Sequence, residues 1–314
     1  MHAKIILLPG SQTGERLCSV AEEILTDISV SFGHTFSILR DKIGEASERL
    51  YGTALSENTI RQCGAADAIF LGDRSAEGES VLLTALAVPM RVRSFAVGGL
   101  EESRFTLVTA ARRDKNSIKS MFMDALELAD KEHTPLFYVE PEAEPLLSVY
   151  REMVKEASAE YESVPCEPIS PSKAVEKLIL SPTEVGILVA PAYAGEMFVT
   201  LATSLHGAPM LLFDACIGYQ NTVYEPVIPA GFKNGEEINP IGTISAVAQM
   251  LRYSLKLEQE ADCVDSAVKN ILEAGWRTPD MTNMGDGISA YKMQQLISEQ
   301  INLAGELLQG GGKR

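Results

Sequence analysis

Histidine and tryptophan are scarce in this chain: four histidines, at positions 2, 34, 133 and 206, and a single tryptophan. No two histidines stand one helical turn apart, so a His-based zinc site has no starting point. The five cysteines (Cys18, Cys63, Cys166, Cys216 and Cys263) are scattered, with no CxxC and no nearby histidine. That pattern reads as buried, reduced thiols and excludes a disulfide framework. Positive charge is also short, with 27 Lys and Arg against 43 Asp and Glu, a net charge of −16 and a pI near 4.8. Such a surface repels a phosphate backbone and an anionic membrane alike. No apolar run reaches the roughly eighteen residues of a membrane helix. The opening run Ile5 to Leu8, closed by Pro9-Gly10, is too short even for a signal sequence. A soluble, cytoplasmic protein without nucleic-acid or membrane partners is expected. A small anionic ligand stays open, because a local arginine cluster can sit inside an acidic protein.

What is present is an ordinary globular composition, 46% apolar and 22% charged, over 314 residues. That length supports one large α/β domain or two medium ones. Strand Lys4–Leu8 enters the turn Pro9–Gly14, and a helix over 15–28 follows with Leu17, Val20, Ala21, Ile24 and Leu25 at helical spacing. A strand is predicted near 35–40. Ser56 is a helix cap with Glu57 behind it, and DAIFLG over 67–72 reads as a buried strand. Further strands are predicted at 106–110, 136–139, 186–190 and 210–213. Helices are predicted at 117–131, 146–159, 172–180 and 194–205, then at 241–255, 258–274 and 289–308, before a fraying polar tail. Alternation of this kind predicts a mainly parallel sheet covered by helices.

Several stretches resemble the isocitrate/isopropylmalate dehydrogenase family, in the right order along nearly the whole chain. Asn239 to Ala261 (NPIGTISAVAQMLRYSLKLEQEA) is similar to the family's Asn-Pro-led helix ending in Met-Leu-Arg-Tyr-Ser-Leu. Upstream stands Tyr224-Glu225-Pro226, and downstream Gly275-Trp276-Arg277-Thr278-Pro279-Asp280 resembles a Gly-aromatic-Arg-Thr-x-Asp segment. LLPGSQTGE resembles the opening strand and loop, ALSENTIRQCGAADAIFLG the helix and strand that follow, and Val149 to Val154 the Leu-Trp-Arg-Glu-Val-Val helix. The resemblance implies an isopropylmalate dehydrogenase-like α/β fold of two domains with a cleft between them. Residues 1–95 with 222–314 would form the first domain. Residues 96–221 would form a nested second one that dimerises through its helices.

The family oxidises a 2-hydroxy acid with NAD(P) and decarboxylates it with a divalent ion's help, and most of that equipment is missing here. The three metal-binding aspartates fall at Ser172, Glu196 and Thr200, so only Glu196 keeps a carboxylate. As an alternative Glu196 is a helix-start carboxylate favoured by the dipole. The catalytic lysine's run corresponds to Val139-Glu140-Pro141-Glu142-Ala143, and proline carries no titratable group. Of the substrate arginines, Arg112 or Arg113 keeps its place, while Arg91 and Arg93 are out of step with the family spacing. The catalytic tyrosine and the arm that carries it have no counterpart. The nucleotide loop becomes Ile228-Pro229-Ala230-Gly231-Phe232-Lys233, without a carboxylate for ribose. Cofactor-contact candidates are Asn239, which also suits a helix cap before Pro240, and the loop glycines Gly10 and Gly72. The turn is not a GxGxxG fingerprint.

Interdependent catalytic parts lost together do not leave a slow enzyme. The leading expectation is therefore a catalytically degenerate homologue, a small-anion-binding or regulatory protein, with neither cofactor nor metal. It would be a homodimer, or a heteromer with an active relative. The alternative is a working NAD(P)- and Mg/Mn-dependent dehydrogenase with a rebuilt site, using Glu196 with Asp214 as ligands and Glu140 or Glu142 as bases. A third reading places unrelated chemistry around Tyr193, Glu196 and Arg112. For the dimer, the helices over 172–180 and 194–205 offer Val175, Leu178, Ile179, Met197, Phe198, Leu201 and Leu205.

Overall fold

The apolar run that opens the chain becomes β1 (His2–Leu8), flanked in parallel by β2 (Thr35–Arg40) and β3 (Ala68–Leu71). A strand covered on both faces loses its in/out alternation, and Ile5, Ile6, Leu7 and Leu8 are all buried. The computed structural model describes residues 1–73, 77–95, 105–110, 114–181, 184–205, 213–218, 221–228, 237–282 and 286–311.

Ser11 leads from β1 into α1 (Gln12–Phe32), its Oγ accepting from the Gly14 N–H at 3.1 Å as a helix cap. Two short helices follow β2: α2 (Glu45–Tyr51), which the periodicity does not announce, and α3 (Glu57–Gly64), capped by Ser56 as expected. After β3 come α4 (Glu79–Ala85), β4 (Met90–Phe95) and β5 (Phe105–Ala110). The chain then alternates through α5 (Lys115–Glu132), β6 (Leu136–Val139), α6 (Leu146–Ser158), β7 (Cys166–Ile169), α7 (Pro171–Leu180), β8 (Ile187–Ala190) and α8 (Ala192–Leu205). The next strand is β9 (Phe213–Ile217), further along than the expected 210–213, whose first three residues lie outside the described ones. It hairpins into β10 (Thr222–Pro226).

These strands form one ten-stranded sheet in the order β2-β1-β3-β10-β9-β4-β5-β8-β6-β7. Pairing is parallel in both outer parts and antiparallel where β10, β9, β4 and β5 adjoin. The sheet is thus mainly parallel, as the alternation implies, with a reversed centre.

Helices cover both faces. On one, α1 packs with three C-terminal helices, α9 (Ile241–Gln249), α10 (Glu258–Glu273) and α11 (Ala290–Gly311), while α5 and α6 cover the far part. The helix expected over 241–255 is not uniform, because Met250–Ser254 widens to a π turn. The C-terminal helix holds through Gly311, beyond the expected fraying point at Gln309. On the opposite face one apolar core lies under α3 and α4, around Ile6, Leu8, Ile69 and Cys216. A second lies under α7 and α8, around Leu107, Leu188 and Phe198. Among the described residues, no helix is long and apolar enough to cross a membrane.

Candidate functional site

Between those two cores, at the reversed centre of the sheet, the surface of the strands is charged. Successive side chains of a strand point to opposite faces. On β4 Met90 and Val92 therefore join the core beneath α5, while Arg91 and Arg93 face the other way. The register sets Arg91 beside Cys216, Arg93 beside Asp214, and Asp214 beside Glu225 on β10. All five side chains thus share one face.

Asp214 is the hub. It is completely buried, and its Oδ1 accepts from Arg93 Nε at 2.5 Å while its Oδ2 lies 3.7 Å from Arg91 Nε. Arg93, itself only 1% exposed, donates through Nη2 to Glu196 Oε1 at 2.8 Å. Glu196 reaches that position because α8 lies directly on β5. A Cβ on the preceding residue, Gly195, would stand 2.6 Å from Thr109 Cγ2. Arg91 donates through Nη2 to Glu79 of α4, stands 3.4 Å from Glu225 Oε1, and donates through Nε to Cys216 Sγ at 3.3 Å. Burial works against the charge on Arg91, but its anionic neighbours outweigh it and hold the guanidinium well above its ordinary value. Cys216 is itself pushed up by burial, so it remains a thiol and the carboxylates supply that support. Arg93 is likewise held up by Asp214 and Glu196 against desolvation.

The cluster joins four of the residues weighed above, Arg91, Arg93, Glu196 and Asp214, in an unexpected role. Glu196 and Asp214, candidate metal ligands, do converge, but on Arg93. Arg93, dismissed for its spacing, is the group they share. Glu79, Cys216 and Glu225 went unnoticed as site residues. The available signal was the period-2 pattern Met90-Arg91-Val92-Arg93, which places two cations on one face of a strand.

The other candidates are dispersed. Tyr193 lies one turn before Glu196 on α8 and is half exposed. Arg112 and Arg113 lie outside the described residues, as does the loop over 229–236. Asn239 is buried and acts as the helix cap: its Oδ1 accepts from the Ile241 N–H at 3.0 Å, and its Nδ2 donates to Thr278 Oγ1 at 2.8 Å. Gly10 takes a left-handed φ of 78° in the turn after β1. Gly72 lies against the first turn of α1, where a Cβ would stand 2.5 Å from Gly14 O. Ser11 ties the two loops together, donating to Asp73 Oδ2 at 2.5 Å. Glu140, the substitute base, is engaged by Arg151 at 2.8 and 3.1 Å, and that hydrogen bonding holds its carboxyl below the usual range. The lysines of the two helices flanking Pro141 are no candidates to replace the family's lysine: Lys131 pairs with Glu127 on its own helix, and Lys155 is exposed on α6.

Among the described residues one trio has the geometry to hold a metal ion, Glu79, Cys216 and Glu225, with ligand atoms within 4.8 Å of one another. Arg91 lies among all three. A hard ion such as Mg²⁺ needs several oxygens at about 2.0–2.1 Å in an octahedron. A thiol and two guanidinium-engaged carboxylates do not provide that. Among the described residues, this trio does not fit the divalent ion.

Fold and cluster together define an α/β protein whose sheet centre is a buried ion-pair network assembled from β4, β9, β10, α4 and α8. Comparison with known proteins narrows the class. Residues 102–297 match the model of the isocitrate/isopropylmalate dehydrogenase family. The 3-isopropylmalate dehydrogenase of Priestia megaterium is 26% identical, with 96% of each chain covered. That of Nitratidesulfovibrio vulgaris is 25% identical, covering 96% of this chain and 100% of its own. The first alignment runs over 356 residues, more than this chain contains, so the relative carries segments absent here. Among solved structures, the isocitrate dehydrogenase of Methylococcus capsulatus superposes with a TM-score of 0.81 at 20% identity, over 96% of this chain and 100% of its own. A beta-decarboxylating dehydrogenase from Thermococcus kodakarensis gives 0.79 at 18% identity, over 95% and 96%. The chain belongs to the isocitrate/isopropylmalate dehydrogenase family.

Proposed function

We propose that this chain is a catalytically degenerate member of its family, a cytoplasmic protein working as a binding or regulatory subunit without metal or nicotinamide cofactor. The observation that carries the reading is Arg93, which holds both Asp214 and Glu196, the carboxylates a rebuilt metal site would require. It is supported by Pro141 at the position the family gives to lysine and by the engagement of Glu140 with Arg151. The domains are those the resemblance implies, 1–95 with 222–314 and a nested 96–221. Arg112 and Arg113 stay the candidates for contact to a small anion, since Arg91 and Arg93 are engaged by carboxylates.

The test is turnover. Purified protein with NAD⁺ or NADP⁺, Mg²⁺ or Mn²⁺ and a panel of 2-hydroxy diacids is expected to reduce no nucleotide. Its thermal midpoint should not rise with cofactor and metal together. A ligand at roughly 100 times its dissociation constant adds about 2.7 kcal/mol of stability, an unmistakable shift. One observation favours the alternative, an active NAD(P)- and metal-dependent dehydrogenase: Glu196 and Asp214 do point at a common centre. Metal-dependent oxidation of any substrate in the panel would establish that reading and overturn the first.

Subunit pairing is proposed through α7 and α8. Phe198 and Leu178, expected to serve it, are instead buried in the chain's own core. The side chain of Leu205 lies outside the described ones, and Val175 and Leu201 are half-buried. Met197, Ile179 and Leu180 are exposed together with Tyr193, an apolar surface that a second copy or an active relative would cover. Met197→Asp combined with Leu180→Asp is expected to convert a dimer to a monomer in sedimentation analysis, with the midpoint of unfolding of the isolated chain little changed. A wild-type protein that already sediments as a monomer would defeat the homodimer.

A further inference from the structure

The C-terminal helix α11 meets the rest of the chain through two adjoining rows of side chains. Met293, Ile297 and Ile301 have no exposed surface and lie in the core shared with α1, α9 and α10. Beside them a polar row runs against α1. Gln294 Nε2 donates to Glu23 Oε2 at 2.6 Å. Asn302 Nδ2 donates to Asp27 Oδ1 at 3.2 Å, and Asn302 Oδ1 accepts from Ser31 Oγ at 3.1 Å. The partners advance together along both helices, so the two run parallel. Past Asn302 the helices close up: a Cβ on Gly305 would stand 2.4 Å from Ser31 Cβ and 3.0 Å from Ser31 Cα. We propose that this contact is a steric key. It fixes the register of α11 on α1 and so holds Ala290, at the far end of α11, against Glu237. This holds for a binding subunit and for an enzyme alike.

Neither row settles the register by itself. Apolar burial is non-directional, and a shift of one turn brings like to like: Met293 and Ile297 would take the places of Ile297 and Ile301. In that shift Gln294 would move along α1 toward Asp27, and Ser298 would take the place of Asn302 against Ser31. The polar row therefore keeps hydrogen-bonding partners. Gly305 is what tells the registers apart. Its place would pass to Ile301 in that shift and to Gln309 in the opposite one, and both bring a Cβ into the space that Ser31 closes. One-turn ratchets are a recurrent way for packed elements to switch, and Gly305 blocks that route here. A glycine inside a helix lowers its stability relative to alanine, and the close approach to Ser31 is what it gives in return.

The key acts at a distance. Ala290 N–H donates to Glu237 Oε1 at 2.6 Å, and Glu237 stands two residues before Asn239, the cap of α9. The stretch from Ala290 to Gly305 spans about 22 Å of helix. A helix forced off α1 at Gly305 therefore draws its N-terminal end away from the segment that opens α9.

Hydrogen exchange on the full chain, read peptide by peptide by mass spectrometry, is the test. Gly305→Ala is expected to speed exchange roughly tenfold or more around residue 305, over 289–294 and over 237–241. Adding Ser31→Gly to Gly305→Ala clears the obstructing Cβ and should restore protection in all three stretches. Ser31→Ala keeps that Cβ and removes the hydroxyl. It should leave exchange near wild type, which separates a steric key from a hydrogen bond. Should Gly305→Ala not fold, recovery of a folded chain on adding Ser31→Gly is the expected result. The proposal is overturned if Gly305→Ala loosens only the stretch around residue 305, or if Ser31→Gly fails to repair it. It is also overturned if Ser31→Ala loosens the helix as much as Gly305→Ala does.

Discussion

Asp214→Ala lowers the unfolding free energy by about 3–5 kcal/mol in urea titration, the cost of stranding a buried charge whose partner has been removed. Asp214 has no exposed surface and places one oxygen toward each of two guanidinium groups. Without it Arg93, enclosed by the sheet, keeps only Glu196 on its Nη2 among the described residues. Glu196→Gln is expected to cost only about 0–1 kcal/mol, because that side chain is 52% exposed and water replaces much of what it supplies. The double variant Arg93→Met with Asp214→Leu should lie closer to wild type than either single substitution, since it removes the charges as a pair. If Asp214→Ala proved no worse than Glu196→Gln, the cluster would not be the electrostatic anchor of the sheet centre.

The reason this anchor was hard to read in advance is physical. Local pattern reports what each strand does alone, and on that basis Leu136–Val139, Thr35–Arg40 and the Ser56 cap could be located well. Arg93 gains meaning only from Asp214 and Glu196, more than a hundred residues away, and Arg91 joins the nearby Glu79 to equally distant partners, across pairings that local periodicity does not encode. An Asp at the second position of β9 likewise disguises a buried strand, because an isolated carboxylate is among the last groups expected in a core. The apolar residues just before it carry the strand signal instead, which sets the predicted strand three residues early. Asn239 is the converse case. A polar residue followed by proline was legible as a helix start, and the hydrogen bond to the Ile241 N–H is what that signature requires. The π turn at Met250–Ser254 left no trace, since the residues facing the core keep ordinary helical spacing up to it.

The loops after β1 and β3 allow a sharper separation of structural from cofactor roles. Gly14→Ala is expected to destabilise the protein by about 3 kcal/mol, at the upper end of what overpacking costs. Its Cβ would fall 1.6 Å from Pro9 O and 2.7 Å from Pro9 C, a collision with backbone that no rotamer change relieves. Either the turn or the first residues of α1 must move. That movement strains the cap from Gly14 N–H to Ser11 Oγ, an interaction worth about 1 kcal/mol. It also disturbs the bond from Ser11 to Asp73 and the approach of Gly72 to Gly14. Gly52→Ala is the control. Nothing lies within 4 Å of a Cβ there, and only its left-handed φ of 73° is strained, at a cost of about 1 kcal/mol. Chemical denaturation of the two variants side by side distinguishes them, and equal losses would mean that the two loops do not pack as closely as described. A clear excess for Gly14 would show that small residues here serve the approach of one loop to the other. That need holds whether or not a nucleotide ever binds, so glycines kept in this turn say nothing by themselves about cofactor use.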